Sequence, residues 1–110
     1  MSKDSDVLLV LSNLPDQASA ARLAAMLVDQ RAAACVNVLA PCASVYRWQG
    51  RIETAAEVPI LIKTTRAAYV RVEKIVREHH PYELPDIIAL PVEDGLPGYL
   101  NWVAQETREI

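Results

Sequence analysis

Val45-Tyr46-Arg47-Trp48-Gln49-Gly50-Arg51-Ile52-Glu53-Thr54 is the stretch on which the fold turns. β-Branched and aromatic residues rise to a Gln-Gly-Arg turn, and Ile52-Glu53-Thr54 leaves it as a return strand. This is the pattern of a β-hairpin, with Gly50 supplying the turn's backbone freedom. The return arm runs on through Val58-Pro59-Ile60-Leu61-Ile62-Lys63-Thr64-Thr65. The approaching arm begins at Cys35-Val36-Asn37-Val38-Leu39 and is interrupted by Pro41, which suits only a bulge or an edge position. Arms of this length predict a hairpin that projects beyond a compact domain.

A strand and a helix stand on each side of the hairpin. Val7–Leu11 is an unbroken apolar run, the mark of a strand buried on both faces. Ser12–Asp16 is a break with helix-start chemistry. From Gln17 to Arg31, Ala20, Leu23, Ala24, Leu27 and Val28 recur at helical spacing, with Arg22 and Asp29 off the stripe. Arg66 to His80 forms a second helix. Tyr69, Val72, Val76 and His79 line one face with Ile75 beside them, while Arg71, Lys74 and Glu78 line the other. Pro81 ends it. A loop at Tyr82–Pro85 leads to a last strand at Asp86–Val92, and Glu93–Gly98 is a turn. Tyr99–Ile110 reads as a short helix or strand anchored by Leu100 and Val103 or by Trp102 and Val103.

The order β-α-β-β-α-β predicts an α+β chain of ferredoxin-like plan, with residues 1–6 as a disordered N-terminus and 7–110 as one domain. Two helices on one face of a four-stranded sheet leave its other face bare. Yet Val7–Leu11, Val58–Ile62 and Ile87–Leu90 are apolar at consecutive positions, so their second face must also be dry. Other copies of the chain are expected to cover it and to pair with the hairpin edge, which makes an obligate oligomer. The pattern does not give the number of subunits.

Composition narrows the function. With 110 residues there is room for one domain, and 52 % apolar residues suffice for a core. A net charge of -3 with no Lys/Arg cluster excludes a nucleic-acid footprint. The run at Val7–Leu11 is too short for a signal segment or a membrane span, which points to the cytoplasm. Cys35 and Cys42 lie about 23 Å apart along one extended segment, well beyond the roughly 7 Å that a disulfide spans. Two free thiols suit a reducing compartment.

Several segments in order resemble the CutA family of divalent-cation-tolerance proteins. They are Ala33–Asn37, Tyr46-Arg47-Trp48-Gln49-Gly50-Arg51-Ile52-Glu53, Ile62–Thr65, His79-His80-Pro81-Tyr82-Glu83-Leu84-Pro85, Leu90-Pro91-Val92 and Tyr99–Trp102. The resemblance covers Val7 to Val103. It implies a ferredoxin-like homotrimer similar in plan to the PII signalling proteins. It also implies an association with copper and other divalent cations, and no established enzymatic reaction. The copper ligands proposed for that family carry over to Cys35 and His79. The third position is Ser12 here, and a hydroxyl is a poor ligand for Cu(I).

Each candidate has a plainer reading beside the chemical one. Cys35 opens a strand and can be a small buried apolar group instead of a thiolate ligand. His79 continues the Tyr69–Val76 stripe inward at a helix end, where packing or an imidazolium at the C-terminus competes with a ligand role. His80 points off the stripe to the surface, and an adjacent His-His pair lacks the i, i+4 spacing of a helical metal site. Glu57 and Lys63, six residues apart on one strand, share a face with Glu53. They form either a solvated or inter-subunit ion pair, or a polar cleft between subunits in which Lys63 holds an anionic ligand. Trp48, Tyr82 and Trp102 can wall an aromatic pocket, with Trp48 also suited to hairpin-end and subunit packing. An enzyme built on Cys35 and His79 lacks a third orienting group, and three glycines make no phosphate loop. No organic cofactor is indicated. The functions left are metal response, a PII-like sensor of a small anionic ligand, and a trimeric scaffold for a protein partner.

Overall fold

The computed structural model describes residues 6–109. The expectation for the N-terminus therefore falls almost wholly outside the described residues. In chain order the elements are β1 (Val7–Leu14), α1 (Gln17–Asp29), β2 (Cys35–Val38), β3 (Cys42–Trp48), β4 (Arg51–Thr65), α2 (Tyr69–His79), β5 (Ile88–Pro91) and α3 (Pro97–Glu106). The sheet is antiparallel in the order β2-β4-β1-β5, and β3 pairs with the outer half of β4.

β4 is the spine. Its 15 residues pair with β3 from Arg51 to Glu57, then with β1 on one edge and β2 on the other. Pro41 accounts for the split of the approaching arm into β2 and β3, because its ring nitrogen cannot donate to the ladder. Gln49 and Gly50 both have positive φ (50° and 80°), the two-residue turn whose twist suits a hairpin. The β3–β4 arm projects, giving principal extents of 45 × 26 × 23 Å. The radius of gyration is 14.5 Å, against about 13 Å for a compact chain of this length.

The core lies between the sheet and α1 and α2. Leu8, Val10 and Leu14 of β1 alternate inward with Val58, Ile60 and Ile62 of β4, and meet Ala20, Leu23 and Leu27 of α1 and Val72, Ile75 and Val76 of α2. Each fully buried Leu, Ile or Val contributes about 1.5–3 kcal/mol. β1 extends to Leu14, past the break expected at Ser12. Asn13 and Leu14 keep the ladder because β4 offers them Pro59 and Val58 as partners. Val28 lies outside the buried stripe of α1, exposed, and the partly buried Met26 packs on the core.

Helix ends follow local chemistry. The Asp16 carboxylate accepts the Ser19 N–H at 2.8 Å, and this bond holds its pKa below the usual range. After α1, Arg31 takes a left-handed φ of 59°, a strain of about 1–2 kcal/mol for a non-glycine residue. Its guanidinium offsets this by donating to the carbonyls of Gln105 and Arg108 at 2.8 Å each, closing the C-terminal end of α3. Arg71 adds bonds to the carbonyls of Arg31 and Thr107.

The face opposite α1 and α2 is not wholly bare. α3, the helical outcome for the last segment, packs Leu100 and Val103 with Val7, Ala34 and Val92 across one end of it. Trp102 stays 41 % exposed, so Leu100 and Val103 are the anchor. β5 is open to solvent along its whole length, with Ile88 58 % and Leu90 49 % exposed in the single chain.

Candidate functional site

Where β3 and β4 leave the body of the domain, the loop after α2 folds against them and encloses an open hollow of about 710 Å³. Trp48, Tyr46 and Ser44 of β3, Glu57 of β4 and the stretch Pro81–Leu84 with Asp86 line it, together with Asn13 at the end of β1. Three of the sequence-predicted residues, Trp48, Glu57 and Tyr82, are thus gathered in one place.

Glu57 decides the electrostatics. It lies directly opposite Cys42 in the ladder and is only 8 % exposed. The Tyr82 hydroxyl donates to its Oε2 at 2.8 Å. Burial first, then this bond and the neighbouring carboxylate charge, push the Tyr82 phenol up to about 12, so it remains a proton donor at neutral pH.

The loop is held by a network that sequence reading missed. The Asn13 backbone N–H and side-chain amide donate to the two oxygens of Asp86, at 3.0 and 2.9 Å. The Asn13 carbonyl lies 2.7 Å from His80 Nε2, and the Tyr82 N–H donates to His80 Nδ1 at 3.1 Å. Since Nδ1 accepts, a neutral His80 carries its proton on Nε2 and donates to Asn13. The His80 and Tyr82 rings pack in a tilted pair, centroids 4.8 Å apart and planes at 50°.

The two histidines exchange the places expected for them. His79 ends α2 and is exposed, while His80 is buried. Pro81 disfavours a helical conformation at the residue before it; His80 takes φ -78° and ψ 136°, and its ring swings in toward β1. The dipeptide His80-Pro81 carried that signal; helical periodicity continued through it did not.

The remaining candidates lie elsewhere. Lys63 shares the Glu57 face of β4 but is not part of the hollow; its Nζ sits 5.5 Å from the Tyr99 ring centroid. Trp102 packs at a tilt against Tyr99, centroids 5.5 Å apart, and is not part of the hollow lined by Trp48 and Tyr82. Cys35 is half-buried and pairs with Lys63 in the ladder. His79 adjoins His80, which bonds Asn13, the partner of Pro59. Four residues of β4, about 13 Å, therefore separate the two ladder positions. Ser12 points to the opposite, helix-covered side, 1 % exposed, and its Oγ has no hydrogen-bond partner. One chain thus does not bring Ser12, Cys35 and His79 together, and the described residues contain no group of three or more His, Cys, Asp or Glu able to hold a metal ion. Both cysteines are free. Among the described residues no helix is long and apolar enough to cross a membrane.

Comparison with known proteins gives the wider context. Protein CutA of Mus musculus is 43 % identical over 96 residues, which is 87 % of this chain and 54 % of the mouse protein. The chain therefore spans about half the length of that relative. The divalent-cation tolerance protein CutA of Thermus thermophilus is 39 % identical over 99 residues, covering 90 % of this chain and 96 % of its own. The crystal structure of CutA from Xylella fastidiosa superposes with a TM-score of 0.91 at 44 % identity, covering 94 % of this chain and 99 % of that one. A structure described as the periplasmic divalent cation tolerance protein CutA from Archaeoglobus fulgidus gives 0.89 at 32 % identity, over 93 % and 99 % of the two chains. The pattern of the CutA1 divalent ion tolerance protein family matches residues 8–106, nearly the whole of the described fold, and the chain belongs to that family.

Proposed function

We propose that the chain acts as a non-enzymatic homotrimer that responds to divalent metal ions, copper among them, in the cytoplasm. Each subunit is the ferredoxin-like unit, with β2 and β3 as one interrupted strand. The observation that carries this reading is the apolar surface of the single chain: Val45, Trp48 and Ile52 on the hairpin and Ile88 and Leu90 on β5 are all exposed. A surface of this kind calls for a partner, and β5 is an edge strand with one side free to pair. The number three follows the family resemblance. Free cysteines favour a reducing compartment.

Metal contact is assigned to Cys35, a donor suited to copper, and to His79. Because one chain holds them apart, an ion bound by both is shared between subunits. Native mass spectrometry of the metal-stripped protein, titrated with Cu(I), Cu(II) and Zn(II), tests this. A trimer that takes up whole equivalents and loses them in Cys35→Ser or His79→Ala supports it. A trimer that stays bare at micromolar metal refutes direct chelation, and a monomer refutes the oligomer.

A second reading is favoured by the hollow itself. Glu57, Tyr82 and Trp48 converge beside the exposed hairpin, where a cleft between subunits would hold a small ligand.

A further inference from the structure

We propose that the loop of residues 80–86 is a strut that fixes the direction of the projecting β3–β4 arm, with Tyr82 as its positioning residue. What that direction serves rests on the first reading above, that the arm meets another copy of the chain.

The strand pairing marks a hinge at the base of the arm. From Arg51 to Glu57 the ladder partner of β4 is β3. From Val58 onward it is β1 on one edge, and from Ile60 onward β2 on the other. β2 and β3 do not bridge this step, because residues 39–41 belong to no strand. The Leu39 N–H donates to the Pro59 carbonyl there at 2.9 Å, and Pro59 has no N–H to return. The arm is thus a two-stranded ribbon that leaves the body on one continuous strand. Such a ribbon is marginal by itself and takes a larger twist than a full sheet.

Tyr82 spans the hinge. Its hydroxyl donates at 2.8 Å to Oε2 of Glu57, where the ribbon meets the body, and that carboxylate is 8 % exposed, so little water competes for it. Among the described residues this is the one side-chain hydrogen bond between the arm and the rest of the chain. The other end of the loop is fixed to β1. β5 begins at Ile88, opposite Leu11, so Asn13 lies beyond its end. The loop takes the place that β5 leaves. The two Asp86 oxygens accept the Asn13 backbone and side-chain N–H groups at 3.0 and 2.9 Å, and His80 Nε2 lies 2.7 Å from the Asn13 carbonyl.

Asn13 is itself paired with Pro59 in the ladder. Bonds therefore run from β1 through the loop to the arm and close a triangle with β4 across the hinge. Pro81, Tyr82 and Leu84 face Ser44, Tyr46 and Trp48 around the hollow and limit a swing toward the loop, while the Tyr82 bond limits a swing away from it. The arm carries Val45, Trp48 and Ile52, exposed in the single chain. A surface already aimed at its partner avoids part of the ordering cost of association.

Residual dipolar couplings of the isotope-labelled full-length protein test the proposal, because they compare the order of the arm amides with that of the amides in β1 and the inner half of β4. In the native protein one alignment should fit both sets with equal order. In Tyr82→Phe and in Asp86→Ala, which cut the strut at its two ends, the arm should lose order while the body keeps it. Thr64→Val, which removes a buried hydrogen bond to the Ala32 carbonyl away from the hinge, should leave the arm as ordered as in the native protein. An arm that keeps full order in Tyr82→Phe overturns the proposal, and so does an equal loss in Thr64→Val, the mark of general loosening. Sedimentation velocity over a dilution series of the same samples judges the reading beneath it. A native monomer refutes the oligomer, whereas the couplings still decide the strut. Where native copies associate, Tyr82→Phe should dissociate at a concentration at least about tenfold higher, the loss of one hydrogen bond to a charged group. Unchanged dissociation would overturn the strut's part in assembly.

Discussion

Tyr82→Phe removes one oxygen atom, and the structure says what that atom does. Its hydroxyl donates at 2.8 Å to Glu57, a carboxylate that is 8 % exposed and has no cation within ion-pair distance among the described residues. The phenyl ring can keep its place against His80, so packing is nearly conserved and the change isolates the hydrogen bond. A bond to a charged acceptor is worth about 1.5–3 kcal/mol when one partner is lost and the other stays buried. The partial exposure of Tyr82 brings the expected loss toward the lower end, about 2 kcal/mol. Urea unfolding at one fixed protein concentration, followed by far-UV circular dichroism, measures it, because the midpoint should fall while the slope stays the same. The pair Tyr82→Phe and Glu57→Gln should then show a coupling of about 1 kcal/mol or more in a double-mutant cycle. A loss below about 0.5 kcal/mol, within the range of an ordinary surface change, would refute the reasoning. The carboxylate would then have found compensation that does not involve the phenol.

Other outcomes follow from the same contacts. The Tyr82 phenol is raised from its ordinary value to about 12, so the folded state holds this proton more tightly than the unfolded one. Its contribution is full below pH 10 and is lost as pH rises through about 12. Melting curves of the native protein should therefore lose stability across that window more steeply than those of Tyr82→Phe. Ser12→Ala should leave the thermal midpoint unchanged or raise it, because it deletes a buried hydroxyl with no partner; a clear loss would mean that Oγ is satisfied in solution. Asp16→Ala should destabilise the protein at pH 7 by uncapping α1. The Asp16 carboxyl is held below its usual pKa, so the native advantage is present at neutral pH and lost as pH falls through that lowered value. The two proteins should converge in acid melts, and a gap that persists there would assign the effect to something other than the charged cap.

The fold was legible where a local pattern coincides with a tertiary role. The stripe of α1 marked Ala20, Leu23 and Leu27, the run of β4 marked Val58–Ile62, and the Gln49-Gly50 turn placed the hairpin. Periodicity misled where the backbone leaves its period. Continuing the α2 stripe past His79 reversed the two histidines, because Pro81 makes His80 extended. Reading Ser12 as a break hid the pairing that carries β1 on to Leu14. Of the candidate site, Glu57, Trp48 and Tyr82 were found as residue types, a strand carboxylate and two rings with polar handles, while the burial of Glu57 emerged only in the fold. Their meeting with Asn13, His80 and Asp86 was not, since contacts across 67 and 73 residues leave no periodic trace.

By itself the sequence determined the element types up to the last segment, the central hairpin, most of the inward faces and the family likeness, because each is written in neighbours or in spacings of two and 3.6 residues. Only the tertiary structure decided which functional residues share a site. Strand alternation put Lys63 and Glu57 on one face, but distance along β4 and the packing of α3 gave Lys63 to Tyr99 and left Glu57 in an acidic, ring-walled hollow. The same alternation sent Ser12 and Cys35 to opposite sides of the sheet. Charge and ligand geometry depend on distances across the fold, and those are fixed only when distant segments meet.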